Sequence, residues 1–151
     1  NGYAMTFAET DARIMGRTAT GVRGMKLREG DYVVGAAVLN PESNVLVVTE
    51  RGYGKQTPAS EYAVKNRGGK GIKTSNISAK SGQLAGIVAT EGDEDLMVMT
   101  DQGVVIRFNI ASISVTSRAT LGVKMIRLDD GAKVSSITKI MKTGEETHEL
   151  A

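Results

Sequence analysis

The sequence predicts an all-β protein: a propeller-like arc of about three blades, built from repeats of roughly 50 residues with strands shared between neighbouring blades. Three observations carry this. Glycines at 2, 52 and 103 open three similar segments, spaced by 50 and then 51 residues. Short apolar runs follow a period close to two and are separated by glycine turns. No stretch shows a long amphipathic helical pattern.

The opening glycines are followed by a shared set of positions. An arginine stands 15 residues after each, at Arg17, Arg67 and Arg118, and a second glycine stands 19 after, at Gly21, Gly71 and Gly122. Next come a β-branched residue (Val22, Ile72, Val123), a basic residue (Arg23, Lys73, Lys124) and, four positions on, Leu27, Ile77 or Leu128. Apolar runs at Val45–Thr49 and Leu96–Thr100 each lead through a polar pair into a glycine. Glu50-Arg51-Gly52 and Asp101-Gln102-Gly103 therefore read as hairpin turns, where glycine takes the positive φ that other residues resist. The returning strands are expected at Tyr53–Thr57 and Val104–Phe108. Further strands are expected at Val22–Leu27, Tyr32–Val38, Ile72–Ile77, Leu84–Val88, Val123–Leu128 and Lys133–Ile137. Phe7–Ala12, Ala59–Val64 and Asn109–Val115 read equally as short helical turns or as irregular connections.

Four short strands per unit is the make-up of a propeller blade. The partial ring covers residues 1–140, as repeats 2–51, 52–102 and 103–140, followed by a polar acidic tail at 141–151. The chain opens in the middle of the first unit's hairpin, so strands are expected to pass between units. The arc reads as part of a larger ring whose open blade edges favour self-association.

Composition removes several classes of function. There is no Cys, and the one His, His148, lies in the polar tail, so no thiolate nucleophile, Cys-based zinc site or His-dependent triad is expected. Neither a cofactor nor a metal is expected. No apolar run is long enough for a membrane helix and no signal peptide is seen, so a cytoplasmic protein is the expectation.

The net charge of +2 conceals segregation. From Arg13 to Arg28 there are five bases and no acid, and from Arg51 to Lys80 seven bases oppose Glu61 alone. From Arg107 to Arg127 there are four bases and no acid, whereas residues 81–103 carry five acids and no base. One such cation is ordinarily a solvated surface charge. Three basic blocks in one repeat phase instead predict a rim that follows a phosphate backbone. With few aromatics and no recognition helix, duplex held through phosphates is favoured over stacked single strands or base reading. The candidate contacts are Arg13, Arg17 and Arg23 in the first block. In the second they are Lys55, Lys65, Arg67, Gly68, Gly69, Lys70, Gly71 and Lys73, and in the third Arg107, Arg118 and Lys124. The glycines are expected to let the backbone approach phosphate closely. Arg67–Gly71 lacks the spacing of a nucleotide-binding P-loop, and the acidic Glu91–Asp95 run reads as a solvated hairpin turn.

The segments Gly-Val-Arg-Gly-Met-Lys-Leu (21–27), Gly-Tyr-Gly-Lys (52–55) and Gly-Val-Lys-Met-Ile-Arg-Leu (122–128) resemble the C-terminal domain of the bacterial DNA gyrase A protein, over nearly the whole chain. That family's box, Q-R-R-G-G-K-G, is matched at five of seven positions by Lys-Asn-Arg-Gly-Gly-Lys-Gly (65–71), which resembles a degenerate copy in a later blade. The resemblance implies a β-pinwheel, a propeller whose blades exchange strands, here its C-terminal half. It also implies a non-catalytic module that wraps double-stranded DNA and supports ATP-dependent negative supercoiling, together with the gyrase B protein and the rest of the gyrase A protein. The ATP site and cleavage tyrosine would lie elsewhere. The equivalent domain of topoisomerase IV, or a propeller-type protein-interaction scaffold, are the alternatives.

Overall fold

The computed structural model describes residues 1–141. Its strands are β1 (Tyr3–Ala4), β2 (Asn44–Thr49), β3 (Tyr53–Pro58), β4 (Ile72–Lys73), β5 (Leu84–Thr90), β6 (Asp95–Thr100), β7 (Val105–Asn109), β8 (Val123–Lys124) and β9 (Val134–Ile140). They form three antiparallel sheets, ordered β1-β4, β5-β2-β3-β8 and β7-β6-β9, which we call blades one, two and three. The acidic tail, apart from Met141, lies outside the described residues.

Strands do pass between units. β4 belongs to the second repeat yet pairs with β1 of the first, Tyr3 opposite Lys73 and Ala4 opposite Ile72. One repeat later β8 pairs with β3 in the same register, Tyr53 opposite Lys124 and Gly54 opposite Val123. Two parallel bridges, Thr6 to Val64 and Gln56 to Val115, repeat as well. The crossing is possible because Gly71 and Gly122 lie against the neighbouring backbone with φ of +73° and +86°. A Cβ on either would lie 2.5 Å from a carbonyl oxygen, of Ala4 and Gly54 respectively. A side chain at these positions would push the blades apart.

The uninterrupted run Val45–Val48 is explained by a strand buried on both faces. Val45 and Val47 face blade one, where they pack with Tyr62 and Leu84. Leu46 and Val48 face blade three, packing with Leu96, Val98, Ile110, Ile113, Ile126 and Val134. Each such side chain contributes about 1.5–3 kcal/mol on burial, so the inter-blade layers hold the arc together. The three ambiguous connections each contain a single 3₁₀ turn, at Glu9–Asp11, Ala59–Glu61 and Ile110–Ser112.

Two expected strands are absent. Val22–Leu27 and Tyr32–Val38 carry no ladder, and Val33 and Val38 are 63% and 82% exposed. Blades two and three each have a middle strand, β2 or β6, that pairs with the strand following the basic loop. No described residue supplies that strand to blade one. A strand cannot persist without a ladder partner, and a groove of about 1240 Å³ lined by Tyr3, Val33, Val45 and Ile87 lies there instead. Ile72–Ile77 and Val123–Leu128 shrink to two-residue strands, because the partner strand is crossed only at the blade seam.

Candidate nucleic-acid interface

The basic loops are joined edge to edge by the arginines that the repeat placed in phase. Arg67 donates from one terminal guanidinium nitrogen to the Arg23 carbonyl at 2.7 Å, and from Nε to the Asp11 carbonyl at 3.2 Å. Arg118 makes the same move one unit later, donating to the carbonyl of Lys73. Its own N–H donates to the Glu61 carboxylate at 2.8 Å. Block one is thus tied to block two, and block two to block three, each time through the carbonyl of the repeated basic residue. The planar fork of arginine suits this task at Arg67, where it reaches two acceptors, whereas at Arg118 it reaches one and the buried Nε has no partner.

The glycine-rich stretch strengthens the first joint. Gly68 donates its N–H to the Gly24 carbonyl at 2.7 Å, and the Lys26 N–H donates to the Gly69 carbonyl at 2.8 Å. A Cβ on Gly69 would lie 3.0 Å from the Met5 methyl carbon. At Gly68 and Gly69 the close backbone approach that the structure shows is to the neighbouring loop. Gly71 likewise serves the seam.

Two side chains missed in the sequence stand at equivalent places in successive units. Arg28 donates to the Lys70 carbonyl at 3.1 Å and stacks over the Tyr3 ring at 3.4 Å from its centroid. Lys80 sits over Tyr53, the equivalent ring of the next unit, at 5.6 Å. A tyrosine directly after the opening glycine of units one and two was the available signal.

The remaining candidates divide clearly. Arg13, Arg17, Arg23, Lys65, Lys70, Lys73 and Lys124 are exposed, and among the described residues none of them forms an ion pair. Lys73 only donates to the Asn76 side chain, at 3.2 Å. Lys73 and Lys124 stand opposite Tyr3 and Tyr53 at matching seams, so they repeat in space as well as in sequence.

Lys55 and Arg107 depart from the expectation. Lys55 is fully buried, its Nζ donating to the carbonyls of Ser117 (2.8 Å) and Arg118 and to Thr120 Oγ1 (3.3 Å). Burial lowers its pKa to about 8, with Glu61 opposing the shift and Arg118 adding to it. Lys55 therefore anchors the turn that carries Arg118 and offers no free charge. Arg107 lies on β7 and is ion-paired with Asp95 at 2.8 Å.

The acidic run is not wholly solvated either. Glu94 is 2% exposed and paired with Lys139 at 3.2 Å. Burial works to raise its pKa, but hydrogen bonds from the Thr90 hydroxyl and the N–H groups of Glu91 and Gly92 outweigh it and hold the value at about 2. The carboxylate closes the β5–β6 turn. Glu91 and Asp93 stay exposed, as expected. Among the described residues there is no metal-ligating cluster of His, Asp and Glu.

A family model described as the DNA gyrase C-terminal domain, beta-propeller, matches residues 1–40, 43–91 and 94–141. The chain belongs to that family. It is 50% identical over 145 residues to the DNA gyrase A protein of Staphylococcus aureus (strain MRSA252) and 51% identical over 146 residues to that of strain NCTC 8325 / PS 47. Each match covers 95% of this chain but only 16% of the relative, so the chain corresponds to a small part of those proteins. Among solved structures it is similar to the C-terminal domain of a DNA topoisomerase IV (TM-score 0.87, 26% identity, 93% of this chain and 44% of that one). It is similar too to a DNA gyrase A C-terminal domain (TM-score 0.81, 27% identity, 93% and 48%). The all-β arc with exchanged strands is thus the gyrase-type pinwheel, and the family resemblance read from residues 65–71 holds.

Proposed function

We propose that this chain is a non-catalytic module that binds and wraps duplex DNA for a gyrase, in which the rest of the gyrase A protein and the gyrase B protein supply cleavage and ATP hydrolysis for negative supercoiling. The observation that carries the reading is the repeated arginine-to-carbonyl joint. It sets three basic loops side by side while leaving Arg17, Lys65, Lys70, Lys73 and Lys124 charged and exposed. A row of free cations held by rigid seams suits the sugar–phosphate backbone, which asks for regular charge and not for base-specific donors. Bending a short duplex costs about 1–6 kcal/mol, which phosphate contacts spread over several loops would offset.

The reading needs no cofactor and implies a cytoplasmic setting, where the DNA is. Among the described residues, no helix is long and apolar enough to cross a membrane. The equivalent role in a topoisomerase IV is the second reading, favoured by the TM-score of 0.87. The 50% identity to a gyrase A protein favours the first. A gel-shift with duplex DNA at low salt tests the proposal. Retardation that fades as salt rises is expected, whereas unchanged mobility at every salt concentration would leave the protein-interaction scaffold as the better account.

A further inference from the structure

The segment that leads into each basic loop leaves an apolar residue at the foot of the loop. Ten residues after the opening glycines of the second and third units, Tyr62 and Ile113 are buried in the inter-blade layers. Two residues further on, Val64 and Val115 are 68% and 55% exposed. Ile14 holds the same offset in the first unit, so a β-branched aliphatic residue stands three positions before Arg17, Arg67 and Arg118 alike. Single exposed apolar side chains are ordinary on a protein surface. A set in one repeat phase, each member at the foot of a loop that carries exposed cations, is a pattern.

The backbone at these positions is fixed, so the side chains are held outward. Val64 forms a parallel bridge with Thr6, and Val115 with Gln56. Each time the next N–H donates across the bridge, Lys65 to the Thr6 carbonyl at 2.9 Å and Thr116 to the Gln56 carbonyl at 2.8 Å. Neighbouring units do not cover them. Val115 bridges onto β3 of blade two, which has all four of its strands, and it stays exposed. Val64 belongs to a loop already joined to the third unit's loop through Arg118, and it stays exposed too.

We infer that Val64 and Val115, with Ile14 in the same phase, press on the deoxyribose edges of the duplex held by the loops, adding an apolar contact between the phosphate contacts. The inference rests on the wrapping function proposed above. Charge selects this occupant over an apolar protein surface. Lys65 and Lys70 follow Val64, Arg13 and Arg17 flank Ile14, and Lys124 pairs with β3, the strand that Val115 bridges. All five are exposed and, among the described residues, none forms an ion pair. A duplex meets both demands, since sugar C–H groups lie between its two rows of phosphate. Such a contact reads no base, as contacts to the sugar–phosphate backbone do not.

The two kinds of contact separate by salt. Phosphate contacts release counterions and set the log–log slope, whereas apolar contacts add affinity without changing it. Threonine keeps the shape, charge and strand preference of valine while replacing one methyl group by a hydroxyl. Duplex affinity of the 151-residue chain is therefore measured over a salt series for Val64→Thr, Val115→Thr and the double variant, with Val64→Ile and Val115→Ile alongside. Each threonine should weaken binding about fourfold at every salt concentration, the worth of one methyl group taken out of water, and the pair should weaken it about tenfold or more. The slope and the unfolding midpoint should stay at the wild-type values, and each isoleucine variant should bind at least as tightly as wild type. If the wild type binds but the threonine variants bind equally well, the wrapping function stands and this inference falls. It falls also if the slope changes together with the affinity, because the valines would then act by placing the cations. A wild type that retards no duplex at low salt removes both.

Discussion

Replacing Gly122 with alanine adds one carbon at φ +86°, 2.5 Å from the Gly54 carbonyl oxygen and 2.9 Å from its carbonyl carbon. The left-handed backbone alone costs a side chain about 1–2 kcal/mol. The contact adds a second cost, because the obstructing atoms are backbone and cannot rotate away. β8 must move off β3, at about 1–3 kcal/mol for overpacking of this kind. The sum is about 2–5 kcal/mol, or roughly 5–15 °C in Tm for a chain of this size. Gly21→Ala is the matched control, since φ is +87° but nothing lies within 4 Å of the added carbon. It should cost at most about 1–2 kcal/mol. Urea and thermal unfolding followed by circular dichroism, at a concentration where the chain is single, give both numbers. Equal losses in the two variants would refute the claim that the repeated glycine exists to let one blade's strand cross onto the next.

Lys55→Met keeps the buried stem but strands the Ser117 and Arg118 carbonyls, and should cost about 1–3 kcal/mol at neutral pH. Because the folded pKa of about 8 lies below the unfolded 10.5, the unfolded chain binds more proton between those values. Stability from this group therefore rises with pH across that window, and the wild-type-minus-variant difference should show the rise. Glu94→Gln should cost about 1–3 kcal/mol at neutral pH, with the difference disappearing as acid carries the wild type from pH 4.5 towards 2, where the folded carboxylate takes up its proton. Arg118→Lys keeps the charge but loses the fork that reaches the Lys73 carbonyl. It should lower stability by about 1–2 kcal/mol while leaving the salt slope of DNA binding near that of wild type. Lys70→Ala should do the reverse, changing stability by less than about 0.5 kcal/mol and the slope by about 0.9.

The repeat made the architecture legible, because strand exchange forces the same glycine, β-branched residue and cation at the same offsets in each unit. β2, β3, β5, β6, β7 and β9 were legible from apolar runs and glycine turns to within one or two residues at most ends. Val22–Leu27 and Tyr32–Val38 have the pattern of strands and are not, since periodicity reports a strand's faces but not whether a ladder partner stands beside it. The run Val45–Val48 was legible as a strand, but its two-sided burial between blades was not. In the interface, the phase of the basic blocks was legible, and the exposed Lys65, Lys70, Lys73 and Lys124 agree with it. The division of labour within the blocks was not. Arg67 and Arg118 spend donors on seams and Lys55 lies in the interior, because sequence offset fixes where a residue sits on the blade but not whether its head points out or back.

The most direct test of a continuous basic track is the salt dependence of duplex affinity in three loop-neutralised variants: Arg13→Ala with Arg17→Ala, Lys65→Ala with Lys70→Ala, and Lys124→Ala with Arg127→Ala, the latter an exposed cation of the third block that was not among the sequence candidates. Each pair should reduce the log–log slope by a similar step, about 1.8 if both side chains meet phosphate, with unfolding midpoints unchanged. A slope that collapses on neutralising one loop and ignores the other two would contradict the account.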